Sequence, residues 1–251
     1  MRLSCKSRIG VMACILLAIT AATFGLAGCR DASGRPGAHT PEVTRPDQVT
    51  DVTALYAQNC AACHGRNGQN GVGIALNNPT YLAIAGTENI QRITAAGVPN
   101  TTMPPFAQNH GGMLADQQVS ALVQGMMQHW GRADAPTGQP APPYAASGQG
   151  NAAAGQQAFG TFCASCHGAD GNGTKLQDGS VIGSLLDSSY LALITDQGLR
   201  SIILAGQVNG SPHNWHSYGS RPLTDADITN IVAWLASHRV AAPGQPYATR
   251  Q

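Results

Sequence analysis

The sequence contains little charge and few aromatic residues. Charged residues occupy 11% of the 251 positions, aromatic residues occupy 5%, and the formal net charge is +1. This balance argues against a nucleic-acid-binding protein that relies on a basic surface. Seven cysteines are too few for a disulfide scaffold in a chain of this length. After the N-terminal segment, no run is apolar and long enough to span a bilayer.

The N-terminus has the anatomy of an export signal. An uncharged apolar run from Ile9 to Leu26 follows a positive start that contains Arg2, Lys6 and Arg8. The run ends in Leu26-Ala27-Gly28-Cys29, which resembles the bacterial lipobox, the cleavage and lipidation signal of lipoproteins. The resemblance implies that residues 1–28 are removed and that Cys29 carries lipid. An uncleaved transmembrane anchor is the alternative, and either would hold the body on the periplasmic or extracytoplasmic side of a membrane.

Segments rich in proline, glycine and alanine divide the rest of the chain. Residues 29–50 have the composition of a flexible tether, and residues 133–149 that of a linker stiffened by its prolines. Residues 241–251 form a similar tail. These divisions leave two segments, 51–132 and 150–240, each long enough for a small domain.

The two segments are copies of each other. A shift of 109 positions pairs Tyr81-Leu82-Ala83 with Tyr190-Leu191-Ala192, whereas the shift upstream is 103, so the second copy carries six extra residues. Apolar spacing and capping residues predict three paired helices, at 51–59 and 152–162, 87–96 and 196–205, and 116–128 and 224–237. We therefore expect an all-α fold of two tandem units with long loops, joined by a Pro/Ala/Gly linker.

Both copies contain the pattern Cys-x-x-Cys-His, which is the spacing of c-type haem attachment. Two thiols one helical turn apart can meet the two vinyl groups along one haem edge, and the next histidine can then reach the iron. We expect two covalent haems, held by the thiols of Cys60, Cys63, Cys163 and Cys166. We expect His64 and His167 to bind the two irons, each from the side of the haem that faces its own motif.

Two other uses of these cysteines fit less well. A thioredoxin-like redox pair would want a strand–helix context and would not need the histidine. A zinc site would have to bring the cysteines of both copies together across the linker. Cys5 and Cys14 leave with the signal peptide and Cys29 takes lipid, so haem attachment uses all four remaining cysteines.

Each copy resembles a class I cytochrome c domain. The resemblance rests on an aromatic-bearing first helix, the CxxCH-Gly motif, a long loop, a ligand loop and a closing helix after Leu-x-Asp. It covers nearly all of residues 51–132 and 150–240. It implies small all-α domains in which a haem edge is partly exposed for electron exchange.

The family pattern also implies a methionine, often followed by proline, as the sixth iron ligand. In the first copy Met103 precedes Pro104 and is the expected ligand, and Met113 is the next candidate. Further methionines, at Met126 and Met127, lie on the closing helix, where this residue is more often part of the core.

The second copy departs from this pattern. It contains no methionine after His167, and Pro212 occupies the slot aligned with Met103. We expect His213, the next residue, to approach the same face of the haem. Two alternatives stay open, namely His216 as the ligand and an iron without a strong protein ligand.

These ligands predict two different midpoint potentials. Thioether sulfur raises the potential and a second imidazole lowers it, so haem 1 is expected to be the higher and haem 2 the lower. Electrons would then enter near haem 2 and leave from haem 1.

The expected function is that of an electron carrier rather than an enzyme. In this interpretation a membrane-tethered di-haem cytochrome passes single electrons between exported redox partners or to a respiratory complex. A peroxidase-like haem enzyme or a small-ligand sensor, with haem 2 as its open site, is the alternative. A third possibility is a subunit of a larger oxidoreductase.

Overall fold

The computed structural model describes residues 44–132, 140–206, 213–241 and 243. The predicted signal peptide, Cys29, most of the tether, part of the linker, Pro212 and most of the tail lie outside the described residues. Among the helices that are described, none is long and apolar enough to cross a membrane. From Pro46 onward, the described residues belong to one compact unit.

The first copy consists of helices and loops. Its helices are α1 (Val52–Asn59), α2 (Ala61–His64), α3 (Pro79–Ala96) and α4 (Asp116–Trp130), with 3-10 helices at Pro46–Gln48 and Gln108–His110. Helix α3 bends at Gly86, whose φ of 70° lies in the left-handed region. The predicted helix 87–96 is therefore the second half of α3, and the first half was not predicted.

The second copy repeats this order and adds a hairpin. Its elements are α5 (Ala152–Phe162), α6 (Ala164–His167), β1 (Thr174–Lys175), β2 (Val181–Ile182), α7 (Ser188–Leu193), α8 (Asp196–Ala205) and α9 (Asp225–Ser237). The two strands are antiparallel, with Thr174 opposite Ile182. They lie in the stretch where the second copy has its extra residues, for which the sequence predicts a loop and not strands.

Side-chain caps define where several helices begin. Asp51 and Asn151, at equivalent places before α1 and α5, each accept a hydrogen bond from the N–H three residues further on. At the start of α9, Thr224 accepts from the N–H of Asp227, and the Asp227 carboxylate accepts from the N–H of Thr224. This capping box confirms the predicted start of the closing helix.

The last residues of the predicted tether pack on the first copy. The side-chain amide of Gln118 in α4 donates to the carbonyl oxygens of Pro46 (2.9 Å) and Val49 (2.8 Å). Gln118 is 3% exposed, so these bonds satisfy a buried amide. The packed structure of the first copy therefore includes residues before residue 51, the first residue of the predicted domain.

The closing helix of each copy buries the face that its periodicity predicts. In α4 and α9 these buried residues are Val119, Leu122, Val123 and Met126, and Ile228, Ile231, Val232 and Leu235. The first set packs in a core with α1 and α3, and the second in a separate core with α5, α7 and α8. Two helical cores confirm the all-α tandem architecture.

In each copy one glycine allows the first helix to cross closely over the closing helix. This glycine lies on the closing helix in the first copy and on the first helix in the second copy. In the second copy, a Cβ on Gly155 of α5 would overlap the carbonyl of Asn230 and lie 2.8 Å from the Cβ of Trp234. In the first copy the small residue is Gly125 of α4, where a Cβ would overlap the side chain of Val52. Bulk is therefore redistributed between the paired helices of the two copies.

A tryptophan from each closing helix packs on the first helix, but from a different position. Trp130 is the last residue of α4 and meets the Tyr56 ring edge-on, with 5.2 Å between centroids. Trp234 lies further inside α9 and meets the Phe159 ring at 4.4 Å. Each indole also reaches the glycine-rich loop that follows the motif of its own copy.

We predict that Gly155→Ala destabilises the holoprotein by ~1–3 kcal/mol, because the new methyl group forces α5 away from α9. The matched control is Gly160→Ala in the same helix, where a Cβ meets nothing within 4 Å. That change removes a glycine from an exposed helical position, so stability should stay equal or rise by up to ~1 kcal/mol. Denaturant unfolding would measure both, and equal midpoints would contradict the proposed close packing.

Candidate haem-binding sites

The two CxxCH motifs have the same backbone conformation. The N–H of His64 donates to the carbonyl oxygen of Cys60 at 2.9 Å, and the N–H of His167 donates to that of Cys163 at 3.0 Å. These bonds close one helical turn in α2 and in α6. The first cysteine of each motif is also the residue that ends α1 or α5, so the preceding helix positions the turn.

Within each motif, the first thiol is covered and the second is open. Cys60 is 8% exposed and Cys163 is partly buried, whereas Cys63 and Cys166 are exposed. Burial raises the pKa of Cys60 to about 11 and that of Cys163 to about 12, with a further contribution from the second cysteine of each motif. The first thiols therefore stay protonated at neutral pH.

These properties bear on the alternative uses of the cysteines. A thioredoxin-like pair needs a lowered cysteine pKa, and the buried thiols have the opposite shift. All four described cysteines are free of disulfide bonds. In the described parts of the chain, no group of three or more His, Cys, Asp or Glu side chains is placed to hold a metal ion. Neither a redox pair nor a zinc site is supported.

Glycines allow the loop after the first motif to close on the histidine. Gly65 has a φ of 80°, in the left-handed region, and a Cβ there would overlap the carbonyl of Gln69. A Cβ on Gly73 would come within 2.8 Å of the His64 ring. The backbone therefore lies directly against the imidazole and limits its rotation.

The His64 ring is oriented for iron binding. It is 9% exposed, and its Nδ1 lies 2.8 Å from the carbonyl oxygen of Ile74. A carbonyl accepts but cannot donate, so Nδ1 carries the proton and Nε2 keeps a free lone pair. Burial lowers the pKa of His64, although the bond to Ile74 opposes the shift. The neutral ring that results is the form that binds a metal.

The second motif lacks this orienting bond. The Nδ1 atom of His167 is buried and has no hydrogen-bond partner in the described residues. Burial lowers the pKa of His167, so this ring is neutral too. Gly173, in the loop after this motif, instead packs against the carbonyl of Ile182 in β2. The extra hairpin therefore runs where the first copy places the loop that carries Ile74.

A further buried donor lies beside the ligand loop of the second copy. The Trp215 side chain is 2% exposed, and its indole N–H has no acceptor in the described part of the chain. Buried donors ordinarily have a partner, and the carboxylates of a haem are acceptors. No sequence motif marks the N–H of Trp215 as a binding group, because its burial depends on the folded ligand loop. Thiols, neutral imidazole and this donor together fit a haem.

The backbone around Met103 is fixed by the end of α3. The carbonyl oxygen of Met103 accepts from the N–H of Val98 at 3.1 Å, and the N–H of Phe106 donates to Ala95 at 3.2 Å. The Cβ built on Gly97 would lie 2.6 Å from the carbonyl carbon of Pro104. The ligand loop thus folds back onto the glycine that ends the helix.

The second copy keeps this backbone arrangement without a gap. The N–H of Trp215 donates to Leu204 at 3.3 Å, as that of Phe106 does to Ala95. A Cβ on Gly206 would overlap the carbonyl of His213, as one on Gly97 would approach that of Pro104. His213 therefore takes the backbone position of Pro104, and the position of Met103 falls to Pro212, outside the described residues.

The two candidate histidines have different surroundings. His213 is exposed, and its ring lies 6.2 Å from that of Tyr218, nearly parallel to it. Burial and the nearby Cys163 raise the pKa of Tyr218, which places this tyrosine beside the second motif. His216 is exposed as well and packs edge-on to Trp215 at 5.4 Å. The choice between the two as iron ligands stays a prediction.

Comparison with known proteins supports the same chemistry. The family model described as cytochrome c matches residues 152–239, and the model described as cytochrome C oxidase, cbb3-type, subunit III matches residues 47–124. The relatives include the cbb3-type cytochrome c oxidase subunit CcoP of Cereibacter sphaeroides, 30% identical over 195 residues, which are 72% of this chain and 58% of that protein.

Two further relatives are shorter matches. The subunit FixPc of Rhizobium leguminosarum bv. viciae is 34% identical over 134 residues, covering 50% of this chain and 41% of that protein. The subunit FixP of Sinorhizobium medicae is 31% identical over 139 residues, covering 51% and 41%. The chain spans about half the length of the curated relatives it matches.

We predict that each motif carries its haem independently. The double variant Cys163→Ser/Cys166→Ser should keep one covalent haem, because the thioether bonds of the first copy do not involve these thiols. The reciprocal variant Cys60→Ser/Cys63→Ser is the matched control and should also keep one. Intact mass and visible absorbance of exported protein would count the haems, and a variant that retains two would contradict the assignment.

Structure and comparison lead to one family. Each motif forms a helical turn of the same conformation, and each copy has its own small helical core. A cytochrome family model matches each copy. The donor set in each copy comprises two thiols and a neutral imidazole, the set that c-type haem requires. The chain is therefore a tandem c-type cytochrome, with two class I domains that bind two covalently attached haems.

Proposed function

We propose that this cytochrome is a membrane-tethered carrier of single electrons between redox partners on the exported side of a bacterial membrane. The observation that carries the proposal is the pair of haem motifs with the same conformation within one compact unit. The relatives are named as cbb3-type oxidase subunits, which supports a respiratory oxidase as the partner. Lipid on Cys29, outside the described residues, would provide the tether.

In this function the protein holds and tunes its cofactors instead of binding a substrate. The haems supply the one-electron chemistry when attached. The thiols prevent their loss, and the bond from His64 to Ile74 strengthens that imidazole as a donor. The exposed second cysteine of each motif supports an accessible cofactor edge, through which electrons would be exchanged.

We propose Met103 as the sixth ligand of haem 1 and His213, with His216 as the alternative, as that of haem 2. Sulfur at one iron and a second imidazole at the other would make haem 1 the higher in potential. Among the described residues the Nδ1 atom of His167 has no hydrogen-bond partner, which acts in the opposite direction because an imidazole without that bond is a weaker donor to iron. We expect the change of axial ligand from sulfur to imidazole to be the larger of the two effects, so that haem 1 would remain the higher in potential.

We predict that Met103→Ala removes the far-red charge-transfer band that sulfur–iron bonding gives the oxidised protein, and lowers the higher midpoint potential. Met113→Ala is the matched control, since Met113 lies further along the same segment and is 83% exposed. That variant should keep both the band and the potential. Two equal midpoints in the unmodified protein, or a band that survives Met103→Ala, would contradict the assignment.

The backbone of the second ligand loop favours one other candidate function. Since His213 occupies the position of Pro104, haem 2 is the site where a small ligand could reach the iron. Such a site would make the protein a small-ligand sensor or a peroxidase-like enzyme. The carrier remains the favoured function because its work requires no open coordination position.

Carbon monoxide distinguishes these functions. For the carrier we predict no rapid binding to the reduced protein at neutral pH, because both irons have six ligands. His213→Ala should create one binding site per chain, whereas His216→Ala should leave binding absent. Rapid stoichiometric binding by the unmodified protein would favour the sensor or enzyme, and creation of the site by His216→Ala alone would reverse the ligand assignment.

A further inference from the structure

One buried amide connects the two domains at their haem loops. Asn78 is 6% exposed, and its side-chain N–H groups donate to the carbonyl oxygens of Ala205 and Gly206, both at 3.1 Å. Its side-chain oxygen accepts from the N–H groups of Thr80 (3.0 Å) and Tyr81 (3.1 Å) at the start of α3. Both donors and both lone pairs of the amide are therefore used.

The repeat itself shows that the cap alone does not require asparagine. The equivalent residue before α7 is Asp187, which accepts from the N–H of Tyr190 at 2.9 Å. An aspartate caps a helix as well as an asparagine does but has no N–H to donate. The added property of Asn78 is therefore its reach across to the other domain.

On its own side, Asn78 ends the loop that orients the first iron ligand. Ile74, four residues earlier, accepts the bond from His64. Asn77, the residue before Asn78, donates from its backbone to Gly68 in the glycine-rich loop at 3.1 Å. A displacement of Asn78 would thus be transmitted to the His64 loop.

On the far side, Asn78 holds the residue on which the second ligand loop rests. Gly206 ends α8, its N–H donates to the carbonyl oxygen of Ile202 at 2.8 Å, and a Cβ built on it would overlap the carbonyl of His213. Ala205 is 7% exposed and belongs to the hydrophobic core of the first domain. The end of α8 is therefore shared between the domains.

The described part of the linker reinforces the same arrangement. Arg200, which is 2% exposed, donates to the carbonyl oxygens of Pro143 and Tyr144 and pairs with Asp225. Tyr144 in turn packs against the core of the first domain. Both domains therefore bind the linker at Pro143 and Tyr144. These contacts keep Asn78 opposite the end of α8.

We propose that Asn78 is a positioning residue for electron transfer between the haems, because it fixes the haem 2 ligand loop to the loop that holds His64. The proposal rests on the proposed carrier function. Its physical basis is that one buried amide sets the position of both loops, so both haems keep one relative geometry during transfer.

The test uses the full holoprotein with Asn78→Asp, which keeps the α3 cap and replaces the donors by a carboxylate facing two carbonyl oxygens. Asn78→Ser is a second variant that caps the helix without adding charge. Asp187→Asn is the matched control at the equivalent cap. The measurements are hydrogen exchange at the backbone amides of Gly206 and Trp215, the midpoint potential of haem 2, and the rate of electron transfer between haems after photoreduction.

We expect both Asn78 variants to speed exchange at Trp215 by about tenfold, to shift the haem 2 potential and to change the interhaem rate, while Asp187→Asn changes none of these. Unchanged exchange in both variants would overturn the proposal. Faster exchange with an unchanged potential and an unchanged rate would also overturn it, leaving a purely structural bond. Exchange needs no electron transfer, so failure of the carrier function would be seen separately in the unmodified protein.

Discussion

A single helical turn is the constraint on which each domain depends. The bond from the histidine N–H to the first cysteine carbonyl places two thiols and an imidazole along one side of α2 or α6. The helix before it buries the first thiol, and the tryptophan of the closing helix packs on that helix. The separate cores therefore serve one purpose, to hold that turn in place while the cofactor supplies the apolar volume that a small domain lacks.

The two domains differ in the hydrogen bonding of the histidine in the CxxCH motif, and the inserted hairpin is the cause. In the first domain the loop brings Ile74 to His64, whereas in the second β1 and β2 occupy the corresponding stretch and the Nδ1 atom of His167 has no hydrogen-bond partner among the described residues. The two sites therefore differ in the hydrogen bonding of the motif histidine, and the proposed sixth ligands would differ as well. Unequal sites would give electron flow a direction, which two identical sites would not.

Apolar spacing and capping residues predicted the features of this fold that depend on neighbouring residues in the sequence. Apolar spacing predicted the buried faces of the closing helices, and a capping residue predicted the start of α9 at Thr224. The hairpin was missed because its strands have two residues each and show no alternation. The bond from Asn78 to Gly206 joins residues 128 positions apart. Hydrophobic periodicity along the sequence cannot predict a contact between residues so distant. The burial of His167 without a partner depends on the same non-local packing.

The contacts between the domains change how a carrier of this kind would work. If the linker acted only as a spacer, the haems would meet through diffusion of two heads, and transfer would depend on the fraction of time spent in contact. The bonds of Arg200 to the linker carbonyls, and of Asn78 to the end of α8, fix a buried interface within one compact unit. In the proposed carrier such an interface would hold the haems at one separation, so that this separation, the potentials of the irons and the reorganisation around them would control the rate. In the proposed carrier the second ligand loop would help to set those potentials, and this loop rests on the end of α8 that the interface holds.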